Sequence, residues 1–172
     1  MIKEDCQIKT FNMRFTLLTL LLLLFNINLY SQSKLRPIKA IPSAMKKIIN
    51  TKNAPQALGP YSQAILVDNT LYVSGQIALD SKSMKMVEGT VEEETEKVMK
   101  NIKAILLEAG FTFENVIKAT IFISDMNDYS KINSIYGKYF NITTAPAREV
   151  VEVSALPKNA KIEISVIATK ID

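Results

Sequence analysis

One uncharged run, Phe15 to Tyr30 (FTLLTLLLLLFNINLY), decides how the rest of this 172-residue chain has to be divided. Its strongly apolar centre, Phe15 to Phe25, is about eleven residues long, whereas a membrane-spanning helix needs roughly 20. A helix buried in a domain ordinarily keeps a polar face, and the seven leucines between Leu17 and Leu24 leave none. The run fits the apolar region of a secretory signal peptide, with Lys9 and Arg14 as its basic lead and Met13 as a start directly before Arg14. Cleavage is expected after Ser31, although Leu29 stands where a small residue is preferred. An uncleaved, membrane-tethering anchor is the alternative. The chain therefore reads as a signal peptide over 1–31, a linker over 32–44 (QSKLRPIKAIPSA) and one domain over 45–172, exported to the periplasm. The membrane enters only through that first segment. No cysteine follows the run, so a lipoprotein anchor at the cleavage site has no thiol to use.

Composition then excludes chemistries. The chain has no His, hence no Ser-His-Asp triad, no Cys-His nucleophile and no His-ligated metal. Its lone cysteine, Cys6, forms neither an intramolecular disulfide nor a thiolate cluster and leaves with the signal peptide. Of 21 basic and 17 acidic residues, the first segment removes Lys3, Lys9, Arg14, Glu4 and Asp5, leaving 18 against 15, or +3. That balance is too weak to argue for nucleic acid as a partner.

Within the domain the hydrophobic period alternates between two and 3.6. Met45 to Asn50 starts an edge strand, 51–60 is a loop, and Tyr61 to Val67 and Leu71 to Ala78 form a hairpin across Asp68-Asn69. After a polar loop over 79–89, Thr90 to Ala109 is a helix. Thr90 and Glu93 have capping-box spacing, Val91, Val98, Ile102, Ile105 and Leu106 recur on one side, and Gly110 stops it. Val116 to Ser124 is a β-branched strand and Asp128 to Phe140 a second helix. Glu149 to Val153 and Lys161 to Thr169 are two final strands. The order predicts an α+β fold, a mixed sheet with two helices on one face. The other face would show apolar residues, which points to oligomerisation.

Two side chains stand out for chemistry. Arg148 follows Ala145-Pro146-Ala147 at the mouth of a strand, where a guanidinium can grip a carboxylate with two prongs. Glu163 shares a strand face with Lys161 and Ser165, where a carboxylate can orient a water or take its proton. Taken alone, each is more often a solvated surface residue. Ser74-Gly75 inside a strand is more telling, because glycine there marks a bulge or a close approach of backbone to a ligand. Tyr61 beside Gly59-Pro60 reads as packing, Asn127 as a turn or cap residue. Asn141-Ile142-Thr143 matches a glycosylation acceptor but is too common a tripeptide to use.

The segments NAPQALGPYSQA (53–64), YVSGQIALD (72–80), NIKAILLEAG (101–110), VIKATIFISDMNDYSKINSIYGKYF (116–140) and APAREVVEVSALPKNAKIEISVIA (145–168) resemble the RidA family, also called YjgF, the reactive-intermediate imine deaminases. The resemblance covers about residues 46–170. It implies a chorismate-mutase-like α+β fold of the bacillus type, assembled as a homotrimeric barrel with clefts between subunits. It implies hydrolysis of enamine and imine intermediates such as 2-aminoacrylate or 2-iminopropanoate to 2-oxo acids and ammonia, without metal or cofactor. Carried over at matching positions, Arg148 would bind the substrate carboxylate and Glu163 would position the attacking water. Tyr61, Ser74, Gly75 and Asn127 would line the cleft. Val150 stands where some relatives have cysteine, and Ser165 where a glutamate is frequent. An export signal is unusual in a mostly cytosolic family. A non-catalytic carboxylate binder and a chaperone-like protein-binding module on the same trimer are the alternatives.

Overall fold

The computed structural model describes residues 46–170. The expected signal peptide and linker, with Cys6 and Met45, lie outside the described residues.

The chain runs β1 (Lys46–Ile49), β2 (Ala64–Val67), β3 (Thr70–Gln76), α1 (Val91–Glu108), β4 (Val116–Ile123), α2 (Tyr129–Tyr136), β5 (Ala147–Glu152) and β6 (Ile162–Thr169). The sheet order is β1-β2-β3-β6-β4-β5. All pairings are antiparallel except β4 with β5, which α2 connects as a crossover. The result is the expected mixed sheet of an α+β fold, with β6 in its middle.

Local chemistry accounts for the elements. The β2–β3 hairpin turns on Asp68, whose φ of 50° is left-handed and suits an Asp-Asn pair. At the start of α1 the Thr90 hydroxyl accepts from the Glu93 N–H at 3.3 Å, and the Glu93 carboxylate accepts from the Thr90 N–H at 2.8 Å. Gly110, at φ 78°, ends the helix where a side chain would be strained. Val98, Met99, Ile102, Ile105 and Leu106 are wholly buried on the sheet, as are Ile162, Ile164 and Ala168 of β6 below them. Each such side chain contributes about 1.5–3 kcal/mol by leaving water.

Beyond one-residue shifts, four boundaries differ from the sequence pattern. The strand expected from Glu149 starts at Ala147, so Arg148 lies inside β5 rather than before it. The strand expected from Tyr61 starts only at Ala64, because the Gln63 side chain turns inward to bond the preceding loop. The next strand ends at Gln76 rather than Ala78, where the register with β6 shifts between Val73 and Gln76. The second helix is a short α-helix between two 3₁₀ turns, Met126–Asp128 and Gly137–Tyr139. Edge-on packing of Phe113 against Tyr139 (5.0 Å) and Phe140 (5.3 Å) fixes its end.

The helix-free face carries a row in register across four strands: Ile48, Ile65, Tyr72 and Ile167. Ile48 is 62% and Tyr72 50% exposed. Beside it lies a polar cluster in which Glu149 holds Lys118 and the Thr120 hydroxyl, both at 2.6 Å.

Candidate active site

Glutamate on a strand normally points to water and stays ionised. Glu163 points to water only in part. It leans across the bulge of β3 onto Gly75, and a Cβ built at Gly75 would lie 1.8 Å from its Oε1. Glycine at 75 is therefore what makes room for this carboxylate, and the strand irregularity has a steric reason. The half-buried position pushes the Glu163 pKa above the usual carboxylate value, through loss of solvation.

Above this pair opens a cavity of about 520 Å³. Tyr61, Ser74, Gly75 and Glu163 line it together. The Ser74 hydroxyl donates to the Ser62 carbonyl at 2.7 Å, while Tyr61, 52% exposed, stands at the mouth and accepts from the Leu58 N–H at 3.3 Å. Leu58, Ile77 and Leu79 give the cavity apolar walls.

Three supports of this cavity escaped the sequence reading. Gln63 is 2% exposed, and its amide nitrogen donates to the Pro55 and Thr51 carbonyls at 2.7 and 3.0 Å. Its amide oxygen accepts from the Thr51 N–H at 2.7 Å, so one side chain holds the whole 51–55 wall. Glu94, in the first turn of α1, is buried and accepts from the Lys161 N–H at 2.9 Å, with the Lys161 ammonium at 3.1 Å. That clamp sets the start of β6, two residues before Glu163. Lys158, with φ 56° in a turn beside Asn159 at φ 57°, brings a cation to the rim. The available signals were a glutamine flanking a buried strand and a Lys-Asn turn; neither names its partner.

Arg148 and Asn127 are elsewhere. Arg148 is in register with Ala119 on the helix-covered face, whereas Glu163 is in register with Phe122 and, beyond it, Val151 on the open face. Two strand spacings and three residues of rise put their backbones roughly 14 Å apart. The Arg148 guanidinium donates to Asn133 Oδ1 at 2.8 Å and to Tyr129 Oη at 3.1 Å. It lies over the Tyr136 ring at 4.9 Å. Burial pushes the Tyr136 phenol up to about 12, against a smaller opposing pull from Arg148. Asn127 is on the exposed 3₁₀ turn before α2, its N–H donating to Asp125 Oδ1 at 2.9 Å. The chain thus joins four of the six expected residues and presents the other two at the β5–α2 edge. Among the described residues, no group of three or more His, Cys, Asp or Glu is placed to hold a metal ion.

The family model described as Endoribonuclease L-PSP matches residues 51–170. A RutC family protein of Pyrococcus horikoshii is 49% identical over 126 residues, 73% of this chain and 99% of that protein. The 2-iminobutanoate/2-iminopropanoate deaminase of Bos taurus is 48% identical over 128 residues, 74% of this chain and 93% of that protein. Among solved structures, a conserved Rid family protein of Yersinia pestis superposes with a TM-score of 0.71 at 52% identity, covering 73% of this chain and 100% of that one. TdcF of E. coli with bound serine gives 0.68 at 37% identity, covering 73% of this chain and 99% of that one.

Proposed function

The chain belongs to the endoribonuclease L-PSP family, the RidA or YjgF family, and from that membership we propose that it hydrolyses carboxylate-bearing enamine and imine intermediates to 2-oxo acids and ammonia. The observation that carries the reading is the Glu163 carboxylate lodged over Gly75 at a cavity of about 520 Å³. Relatives named 2-iminobutanoate/2-iminopropanoate deaminase at 47–48% identity support the reaction class. The serine bound to TdcF supports a small carboxylate ligand.

The chemistry asks little of the protein. An imine carbon is already electrophilic, so the attacking water needs placement more than activation. Glu163 accepts a proton from the water as its oxygen bonds the carbon of the protonated imine, and the C=N pair passes to nitrogen, giving a neutral carbinolamine. Glu163 then returns that proton to nitrogen, the C–N bond breaks, and the hydroxyl gives up its proton to the departing ammonia as the C=O forms, so that a 2-oxo acid and ammonium leave with Glu163 ionised again. A carboxylate with a raised pKa suits both halves, since it takes up a proton more readily than an ordinary carboxylate and can still return it. Leu58, Ile77 and Leu79 offer an apolar wall to the side-chain end of the substrate. A cavity with one described cation at its rim, Lys158, matches a small anion better than a polyanion such as RNA.

The site is complete only in an assembly. A homotrimer in which the Arg148 edge of one copy closes the Glu163 cavity of the next would bring the carboxylate grip and the water together. The wide separation within one protomer and the exposed row of Ile48, Ile65, Tyr72 and Ile167 support it. In the same reading, residues 1 to about 31 direct export and are removed.

The test generates an enamine in situ and follows 2-oxo acid formation with and without the protein. Faster release of 2-oxo acid is expected. Binding of 2-oxobutanoate without any acceleration would replace the enzyme with a carboxylate-binding module.

A further inference from the structure

We propose that helix α2 positions the anion grip: Tyr129 and Asn133 aim the Arg148 guanidinium through uncharged acceptors, leaving its full positive charge for a ligand carboxylate. The inference rests on Arg148 being that grip.

Tyr129 and Asn133 are four residues apart, so they fall on one face of α2. That face overhangs β5, and each residue takes one guanidinium nitrogen, Asn133 Oδ1 at 2.8 Å and Tyr129 Oη at 3.1 Å. The Tyr136 ring lies beneath at 4.9 Å and is itself 4% exposed, packed at a centroid distance of 4.6 Å on Phe140. The floor is therefore a packed ring, and Arg148 above it is half-buried on the edge strand β5. A guanidinium has five N–H donors; two are engaged here, and the rest remain for a planar two-pronged contact.

The character of the acceptors matters as much as their placement. Among the described residues Arg148 makes no salt bridge, although Lys97, Lys100, Lys118, Lys131 and Lys161 all do. An aspartate at 133 would hold the guanidinium as firmly and cancel its charge. An amide and a phenol orient it and leave the charge in place. Arginine on a free strand edge samples many rotamers, each lowering the fraction competent to bind; the α2 cradle removes that penalty before the ligand arrives.

The test titrates the full chain with 2-oxobutanoate by calorimetry and measures steady-state imine hydrolysis for four variants. Arg148→Ala should abolish measurable binding. Asn133→Leu should weaken it roughly tenfold and Tyr129→Phe a few-fold, as loss of a hydrogen bond to a charged group predicts. Both losses should appear mainly in KM, with kcat changed less, because the grip acts on ground and transition states alike. Asn133→Asp is the diagnostic variant. It keeps an acceptor at the same place, so a merely structural role predicts wild-type binding, whereas charge cancellation predicts a loss at least as large as that of Asn133→Leu. Normal binding by Asn133→Leu and Tyr129→Phe beside a defective Arg148→Ala would overturn the positioning role. Normal binding by Asn133→Asp would overturn the requirement for uncharged acceptors. Normal binding by Arg148→Ala would remove the grip itself, a different failure. Tyr129 and Asn133 are exposed, so the folded state should tolerate all three changes at these positions.

Discussion

The Glu163 cavity and the Arg148 edge solve opposite electrostatic problems. Glu163 is held in a half-buried place where its charge is disfavoured, and the room for it comes from a missing side chain at Gly75. Arg148 is held by side chains at an open edge where its charge is unopposed. A group that must exchange protons benefits from a shifted pKa. A group that must attract an anion benefits from rigid orientation and undiminished charge. The backbone builds the first region and a helix face the second, so the two should fail in different ways when substituted.

Gly75→Ala should give the largest effect. The added Cβ would fall 1.8 Å from Glu163 Oε1 and 2.7 Å from its Cδ, so the carboxylate has to swing out of place. Because the obstacle is the end of a flexible side chain, the fold should survive while turnover drops on the order of 10²-fold or more. Gly137→Ala is the control, since its Cβ would meet nothing within 4 Å. In a Glu163→Ala background, Gly75→Ala should cost nothing further, and a double-mutant cycle reads that directly. Full additivity would mean that glycine 75 acts through something other than Glu163.

Glu163→Gln follows. It preserves shape but cannot take a proton, so turnover should fall on the order of 10²-fold while 2-oxo acid binding is spared. Unchanged turnover would remove Glu163 from the reaction. Arg148→Lys comes third and should show the reverse pattern. The ammonium keeps the charge but loses the fork that fits Asn133, Tyr129 and a carboxylate together. Losing one charge-assisted bond costs about 1.5–3 kcal/mol, so affinity should weaken some 10- to 100-fold, and turnover at low substrate should drop with it. Equal affinity for Lys and Arg at this position would show that net charge, not geometry, is what the edge supplies.

The two regions were also unequally legible in the sequence. The α1 start, Thr90 with Glu93, and the alternation of Ile162, Ile164, Val166 and Ala168 are local patterns, and the structure places them as read. Gly75 marked its bulge for the same reason, since an interior strand glycine is a local signal. The supports were invisible because each is an exchange between distant positions. Gln63 bonds Thr51 across twelve residues, Glu94 reaches Lys161 across 67, and Arg148 finds Asn133 and Tyr129 at 15 and 19. Helix α2 read as one long helix because its apolar spacing continues through Gly137. The chain instead tightens into a 3₁₀ turn there.

The smallest expected effect measures whether the two regions meet. In the proposed reaction Glu163 acts ionised, and burial raises its pKa, so kcat/KM should fall as pH drops through a value above the usual carboxylate range. This profile reports the free enzyme, before substrate adds its own charge. An arginine favours the ionised form of a nearby carboxylate. If Arg148 of a neighbouring copy closes the cavity, Arg148→Gln removes that help, and the acid limb should move to higher pH by a few tenths of a unit. Were the regions to remain about 14 Å apart, as strand spacing sets within one protomer, the charges would lie beyond the Debye length of about 8 Å, and the limb would stay where it was. The comparison uses Arg148→Lys as the charge-preserving partner, which should leave the limb unmoved in either arrangement. A shift in Arg148→Gln alone would therefore establish that each site draws its grip from another copy, while coincident limbs in all three proteins would sink the shared cleft.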